Sequence, residues 1–250
     1  MSDTKSSARA RKPASLGARE PGSDRMIDVL LTAPLFVVYH LGVVFLSVRN
    51  GFDPITDSLL LVLHRSLAAY LGLTLLLAGG LFAVLRWTRV GGKIRGWLFA
   101  LRIGESTVYA FVMAAMARAA VAHALSASSP KLAAGGPSVG PFAAIVLSSG
   151  AGFYEELAFR VVLFGAGVWL VRKLVKPTGA KVVGEIVWAL VAASAFSAVH
   201  YVGALGDTFT LSSFLFRLVC GLVLTAVYRF RGFAAAVWTH ALYDVGVMAF

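Results

Sequence analysis

Three short segments in the second half of the chain carry side chains able to act together on water and a peptide carbonyl. Glu155 and Glu156 are followed by Arg160, Phe196 precedes His200 by four positions, and His240 precedes Asp244 by four. Residues four apart share one face of an α-helix, so Glu156 with Arg160, Phe196 with His200, and His240 with Asp244 each project together. Glu155 lies about 100° round the helix from Glu156, so the two carboxylates cannot serve one point equally. Glu156 is best placed to neutralise Arg160, which leaves Glu155 to face another group. A carboxylate, two imidazoles and a further carboxylate meeting from three helices form the inventory of a hydrolase. It holds a base to activate water, and donors or a metal to stabilise an oxyanion. Singly, each motif has a plain reading: a structural ion pair, a packing histidine, a hydrogen bond along a helix surface. All three in one half of one chain are harder to assign to packing.

The elements that must position them are apolar. The chain has 250 residues, 58% hydrophobic and 14% charged, with a net charge of +11. A soluble domain is about 45–50% apolar and about 25% charged. The composition excludes a disordered chain, a disulfide scaffold and a typical soluble enzyme, and predicts an all-α polytopic transmembrane helical bundle. The single cysteine, Cys220, can form neither an intrachain disulfide nor a thiol metal cluster. The basic residues sit in clusters between apolar runs, as topology signals do, so the charge does not point to a nucleic-acid partner.

Residues 1–25 read as a disordered basic cytoplasmic tail and 26–250 as the transmembrane domain, with 141–250 the motif-bearing part. The apolar run after the tail is too long for a signal-peptide core and is expected to stay as a span. Seven spans are predicted: 29–48, 66–85, 103–125, 141–171, 186–206, 212–228 and 233–250. A polar loop is expected over 50–57, with a half-helix over 59–64. The fourth span, about 46 Å as one helix, is longer than a bilayer needs, so a broken or extended fourth span is predicted. Ser148, Ser149, Gly150 and Gly152 are its expected break. Glu105 and Arg118 read as structural, Arg217 as snorkelling from the start of span six, and His40, His64 and His123 as packing or interfacial residues. Counted from the basic loops, Glu155 and His200 lie about 24 Å above the cytoplasmic edge, but His240 only about 10–14 Å. These side chains must nevertheless meet if the three motifs form one site.

The motifs Glu155-Glu156-x-x-x-Arg160, Phe196-x-x-x-His200 and His240-x-x-x-Asp244 resemble those of the CPBP family, the prenyl-protein (CAAX) endopeptidases and bacteriocin-processing or immunity intramembrane proteases. The resemblance covers about residues 141–250. It implies a helical intramembrane endopeptidase acting on a membrane-anchored protein or peptide within the lipid bilayer. Glu155 would match the family's water-activating glutamate, and Glu156 and Arg160 its flanking acid and ordering arginine. His200 would orient or activate the water, and His240 would serve the oxyanion. Asp244 stands where the prenyl-protein branch usually carries Asn. An amide donates to an oxyanion whereas an ionised carboxylate repels it. Asp244 therefore suits orienting His240, a protonated state, or a metal. Glu155, His200 and His240 would make a three-ligand zinc site with an open position; the metal-free alternative uses Glu155 as the base, and the reading leans to it because Glu155 cannot easily be base and ligand together.

Two other classes compete. A proton-coupled transporter would relay protons through buried Glu, His and Arg, but the polar residues crowd into the second half and no internal repeat is present. A non-catalytic membrane scaffold would be indifferent to loss of Glu155. The expected location is a multi-pass protein of a bacterial inner membrane with a cytoplasmic N-terminus. The Lys/Arg alternation predicts that loops 86–95 and 172–181 are cytoplasmic and 126–140 external. Single cysteines placed there in a Cys220→Ala background should be labelled by an impermeant thiol reagent from outside intact cells only at 126–140. Labelling of 172–181 would overturn this topology.

Overall fold

The structure is a computed structural model that describes residues 21–46, 54–87, 96–125, 139–203 and 206–249. The expected tail over residues 1–20 and the loops at 47–53, 88–95 and 126–138 lie outside the described residues. The described residues are helical, with no strand among them: α1 Pro21–Leu46, α2 Pro54–Val62, α3 Leu67–Trp87, α4 Gly96–Leu125, α5 Pro141–Glu156, a π-helical stretch Leu157–Phe164, α6 Gly165–Leu174, α7 Thr178–Val199, α8 Leu211–Arg231 and α9 Phe233–Ala249. An all-α membrane bundle is what the apolar composition predicted. Asp28–Leu46, Gly96–Leu125, Thr178–Val199 and Leu211–Arg231 are long and apolar enough to cross a membrane, and Leu67–Gly80 is a shorter apolar helix. The other two expected spans are the interrupted 141–171 segment and the 17-residue α9.

Several boundaries move. Helix α1 starts within the segment expected to be tail. The expected loop 50–57 is helical from Pro54, because proline's fixed φ suits a first helical position. Helix α7 begins eight residues before the expected fifth span and ends at Val199, so His200 caps it instead of lying mid-span. Hydropathy marks where a helix meets lipid, whereas the helix itself runs on through Lys181 and Glu185 until its backbone bonds end.

The interruption of the fourth span also moves. Helix α5 runs unbroken through Ser148, Ser149, Gly150 and Gly152, and the departure from α geometry comes at Leu157–Phe164. The small residues instead let neighbours approach. A Cβ on Gly150 would lie 2.4 Å from the Tyr39 ring, and one on Gly152 would lie 2.8 Å from the Val237 carbonyl oxygen and 3.0 Å from the Ala241 Cβ. Small residues at a crossing are how helices gain close packing where lipid supplies no hydrophobic drive. The π turn is held from α7, where Trp188 Nε1 donates to the Leu163 carbonyl at 2.8 Å and its indole occupies the space beside Gly167.

Helix α5 packs chiefly against α9, α7 against α8, and α4 against both α8 and α9. Gly232, at φ +94°, takes the left-handed conformation that lets α8 pass into α9 through a single residue. Arg231 Nη2 donates to Glu105 Oε2 at 2.6 Å, and Glu105 lies nine residues, about 14 Å, along α4. Arg229 likewise meets Glu185, 3.7 Å away and seven residues into α7. Arg172, in the last turn of α6, reaches the same Glu185 at 2.7 Å, so the turn between α8 and α9 lies beside the end of α6. Glu105 is thus structural, as its sequence setting suggested.

Gly152→Ala should force α5 away from α9, since backbone cannot yield as a flexible side chain does. Overpacking of this kind costs about 1–3 kcal/mol. The unfolding midpoint in detergent is expected to fall; an unchanged midpoint would contradict the close crossing.

Candidate active site

Helix α5 delivers Glu155 and Glu156 at its last turn, and the π stretch delivers Arg160 one wide turn later. Glu156 Oε1 lies 2.9 Å from Arg160 Nη1, with both side chains fully enclosed. The same oxygen accepts from His240 Nδ1 of α9 at 2.8 Å. A carboxylate accepts only, so Nδ1 carries a proton and Nε2 is the ring atom turned toward the remaining groups. Arg160 Nη2 also reaches the Gly221 carbonyl of α8 at 3.4 Å, and its guanidinium stacks over the Phe196 ring at 4.3 Å. Glu156 Oε2 and Arg160 Nε are buried without a hydrogen-bond partner, so the enclosed pair is held mainly by its mutual charge, and losing either member would leave the other far more costly than the pair.

Glu155 faces elsewhere, as the 100° rotation required. Its Oε2 is buried without a hydrogen-bond partner. It lies 3.8 Å from His200 Nε2 and 3.9 Å from His240 Nε2. His200 Nδ1 is 2.8 Å from the Phe196 carbonyl, which can only accept, so Nδ1 carries a proton and Nε2 points at Glu155. Asp244 Oδ2 is 3.5 Å from His240 Nε2. The two histidines therefore converge on one carboxylate oxygen from α9 and from the end of α7. His200 is the most open member, its side chain 26% exposed.

All six residues picked out in the sequence thus lie in one cluster: Glu155, Glu156, Arg160, His200, His240 and Asp244. Phe196 is its floor, in T-shaped contact with His200 at 5.1 Å and His240 at 5.7 Å between ring centroids. The i, i+4 spacing put Phe196 on the His200 face, but nothing in the sequence foretold its contact with Arg160. His40, expected from its spacing to be a packing or interfacial residue, makes a polar connection. It is buried, hydrogen-bonded to Tyr70 and, at 2.6 Å, to Tyr154, which ties α1 and α3 to the residue preceding Glu155. Arg217, expected to snorkel, is instead held by Asp207, Tyr201 and Ser213.

Neighbouring ligands on a tetrahedral zinc at about 2.0–2.1 Å stand about 3.3–3.4 Å apart. Glu155 Oε2 is further than that from both Nε2 atoms. Among the described residues no group of three or more His, Cys, Asp or Glu has the spacing of a metal site. As placed, these side chains do not fit a metal.

Residues 137–246 match the model of one protein family, type II CAAX prenyl endopeptidase Rce1-like. No curated protein and no solved structure matches the chain. The matched stretch contains every residue of the cluster, in the helices that bring them together. The similarity to type II CAAX prenyl endopeptidases thus covers residues 137–246 of the 250, the part of the chain that carries all three motifs.

Proposed function

We propose that the protein is an intramembrane endopeptidase that hydrolyses a peptide bond in or near the membrane tail of a substrate protein, with Glu155 as the base that activates water. The observation that carries this is the buried, unpartnered Oε2 of Glu155 between the Nε2 atoms of His200 and His240. Separations of 3.8–3.9 Å are too long for direct hydrogen bonds and are of the kind a water molecule bridges.

In this reading Glu155 removes a proton as the water oxygen bonds to the scissile carbonyl carbon. His200 Nε2, unprotonated, accepts the water's second hydrogen bond and fixes its direction. His240, held by Glu156 at Nδ1, enters the reaction already protonated at both ring nitrogens, and its Nε2–H donates a hydrogen bond to the developing oxyanion, with Asp244 offsetting the imidazolium charge. When the tetrahedral intermediate collapses, the carbon–nitrogen bond breaks and the proton on Glu155 passes to the leaving amine. Arg160 neutralises Glu156 and so keeps that carboxylate from competing for protons. The ring of Phe196 and the surrounding helices exclude bulk water, which strengthens every electrostatic contact in the site. No step runs through a metal.

Glu155→Gln keeps shape but removes the proton acceptor. With purified protein and synthetic membrane-tail peptides followed by mass spectrometry, cleavage should fall by at least the ~10²–10⁴-fold worth of a general base while the protein stays folded. His200→Ala and His240→Ala should lose comparable amounts, far from additively in combination. Chelator should leave the wild type unaffected; loss of activity restored by zinc would assign the same residues to a metal instead. Cleavage by Glu155→Gln at the wild-type rate would refute Glu155 as the base, whereas absence of cleavage by the wild type itself would suit a scaffold.

Arg160→Ala strands Glu156 without its cation, a change that typically costs about 3–5 kcal/mol for a buried pair. Folded yield after detergent extraction should drop together with activity. A stable, fully active variant would show that the pair does not matter.

A further inference from the structure

His200 stands at the end of α7, where a helix frays, yet the proposed chemistry needs its Nε2 fixed to within a fraction of an ångström. What holds it comes from beyond the family motifs. The Asp207 N–H donates to the His200 carbonyl at 2.8 Å, which closes the chain back onto the helix end. Arg217 of α8 then grips both sides of that closure. Its Nη2 pairs with the Asp207 carboxylate. Its Nη1 donates to the hydroxyl of Tyr201, the residue after His200, at 3.0 Å, and to Ser213 Oγ at 2.7 Å. Tyr201 donates in turn to Ser213 Oγ at 2.9 Å, and the guanidinium lies 5.3 Å from the Tyr201 ring centroid. The register agrees with this placement. One turn further along α8, Gly221 packs on Ala193 and Phe196, one turn before His200 on α7. The two helices run antiparallel, which sets Arg217 beside His200.

We infer that Arg217, with Asp207 and Tyr201, is a positioning device for His200, setting the direction of its Nε2 toward Glu155. The inference rests on the proposed role of His200 in the reaction. Arginine suits the task because its planar fork engages several acceptors in fixed directions, which a lysine ammonium does not. A misplacement of about 1 Å at a reacting group costs about 10²-fold in rate.

The test uses the full-length protein in detergent micelles and the same membrane-tail peptides. Arg217→Met, Arg217→Lys and Tyr201→Phe should each lower kcat, by about 10–100-fold for the arginine variants and less for Tyr201→Phe, with KM within about twofold of wild type. A rise in KM at unchanged kcat would make Arg217 a substrate-binding group and overturn the inference, as would a folded variant with both constants unchanged. A second reading needs no substrate. In 15N-histidine spectra of the five histidines, with His200 assigned from His200→Ala, the arginine variants should shift and broaden the His200 signals and leave those of His240 in place. Unmoved His200 signals, or equal movement of all histidines, would refute a specific positioning role. If Arg217→Met fails to fold, Tyr201→Phe, which deletes only the hydroxyl, decides the matter by the same two measurements. Glu155→Gln run in parallel separates the two levels. Its full activity would overturn the proposed function, whereas a silent Glu155→Gln beside an unimpaired Arg217→Met would overturn the positioning role alone.

Discussion

One oxygen atom organises this site. Glu156 Oε1 is shared by Arg160 at 2.9 Å and His240 at 2.8 Å, inside a bundle whose surroundings are apolar. An arginine and a glutamate removed from water each carry a desolvation cost of several kcal/mol, which their mutual attraction offsets only in good geometry with further partners. Gly221 and Phe196 supply those partners for Arg160, from α8 and α7. The consequence is positional. Once the pair is enclosed, α5, the π stretch, α7, α8 and α9 must meet within a few ångströms of it, and Glu155, one residue earlier, is turned toward the two Nε2 atoms.

The backbone accommodates that demand in two ways. Gly152 lets α5 lie against α9 with its Cα close to the Val237 carbonyl, so that Glu156 and His240 touch. Beyond Glu156 the helix widens, which presents Arg160 across one turn and leaves backbone carbonyls to be met by other groups, Trp188 among them. Widened turns of this kind recur at functional sites, where an ordinary α-helical register cannot aim two neighbouring side chains at different partners. At the other end of the site the closure of Asp207 onto His200 performs the same service for α7.

The legible part of this arrangement was local. Period-3.6 geometry sufficed to pair Glu156 with Arg160 and to separate Glu155 from both, because those relations hold within one turn of one helix. Apolar composition sufficed for the helical class. What spacing could not convey were relations between elements. The Arg231–Glu105 contact spans 126 positions and ties the turn between α8 and α9 to α4, a relation that spacing within one helix does not convey. The glycines near 150 read as a break because glycine weakens isolated helices; in the packed bundle they serve as contact surfaces. Arg217 read as snorkelling because its acceptors, Asp207 and Tyr201, lie across a turn that hydropathy assigns to the preceding span.

In the proposed mechanism two adjacent glutamates divide the labour, Glu155 for proton transfer and Glu156 for the enclosed ion arrangement. The most direct measurement compares Glu155→Gln with Glu156→Gln for both unfolding midpoint and single-turnover cleavage under one set of conditions. The account predicts that Glu155→Gln keeps the wild-type midpoint and loses cleavage, whereas Glu156→Gln loses both, since an amide cannot neutralise Arg160. A stable Glu156→Gln without cleavage, beside an active Glu155→Gln, would reverse the roles and contradict the account.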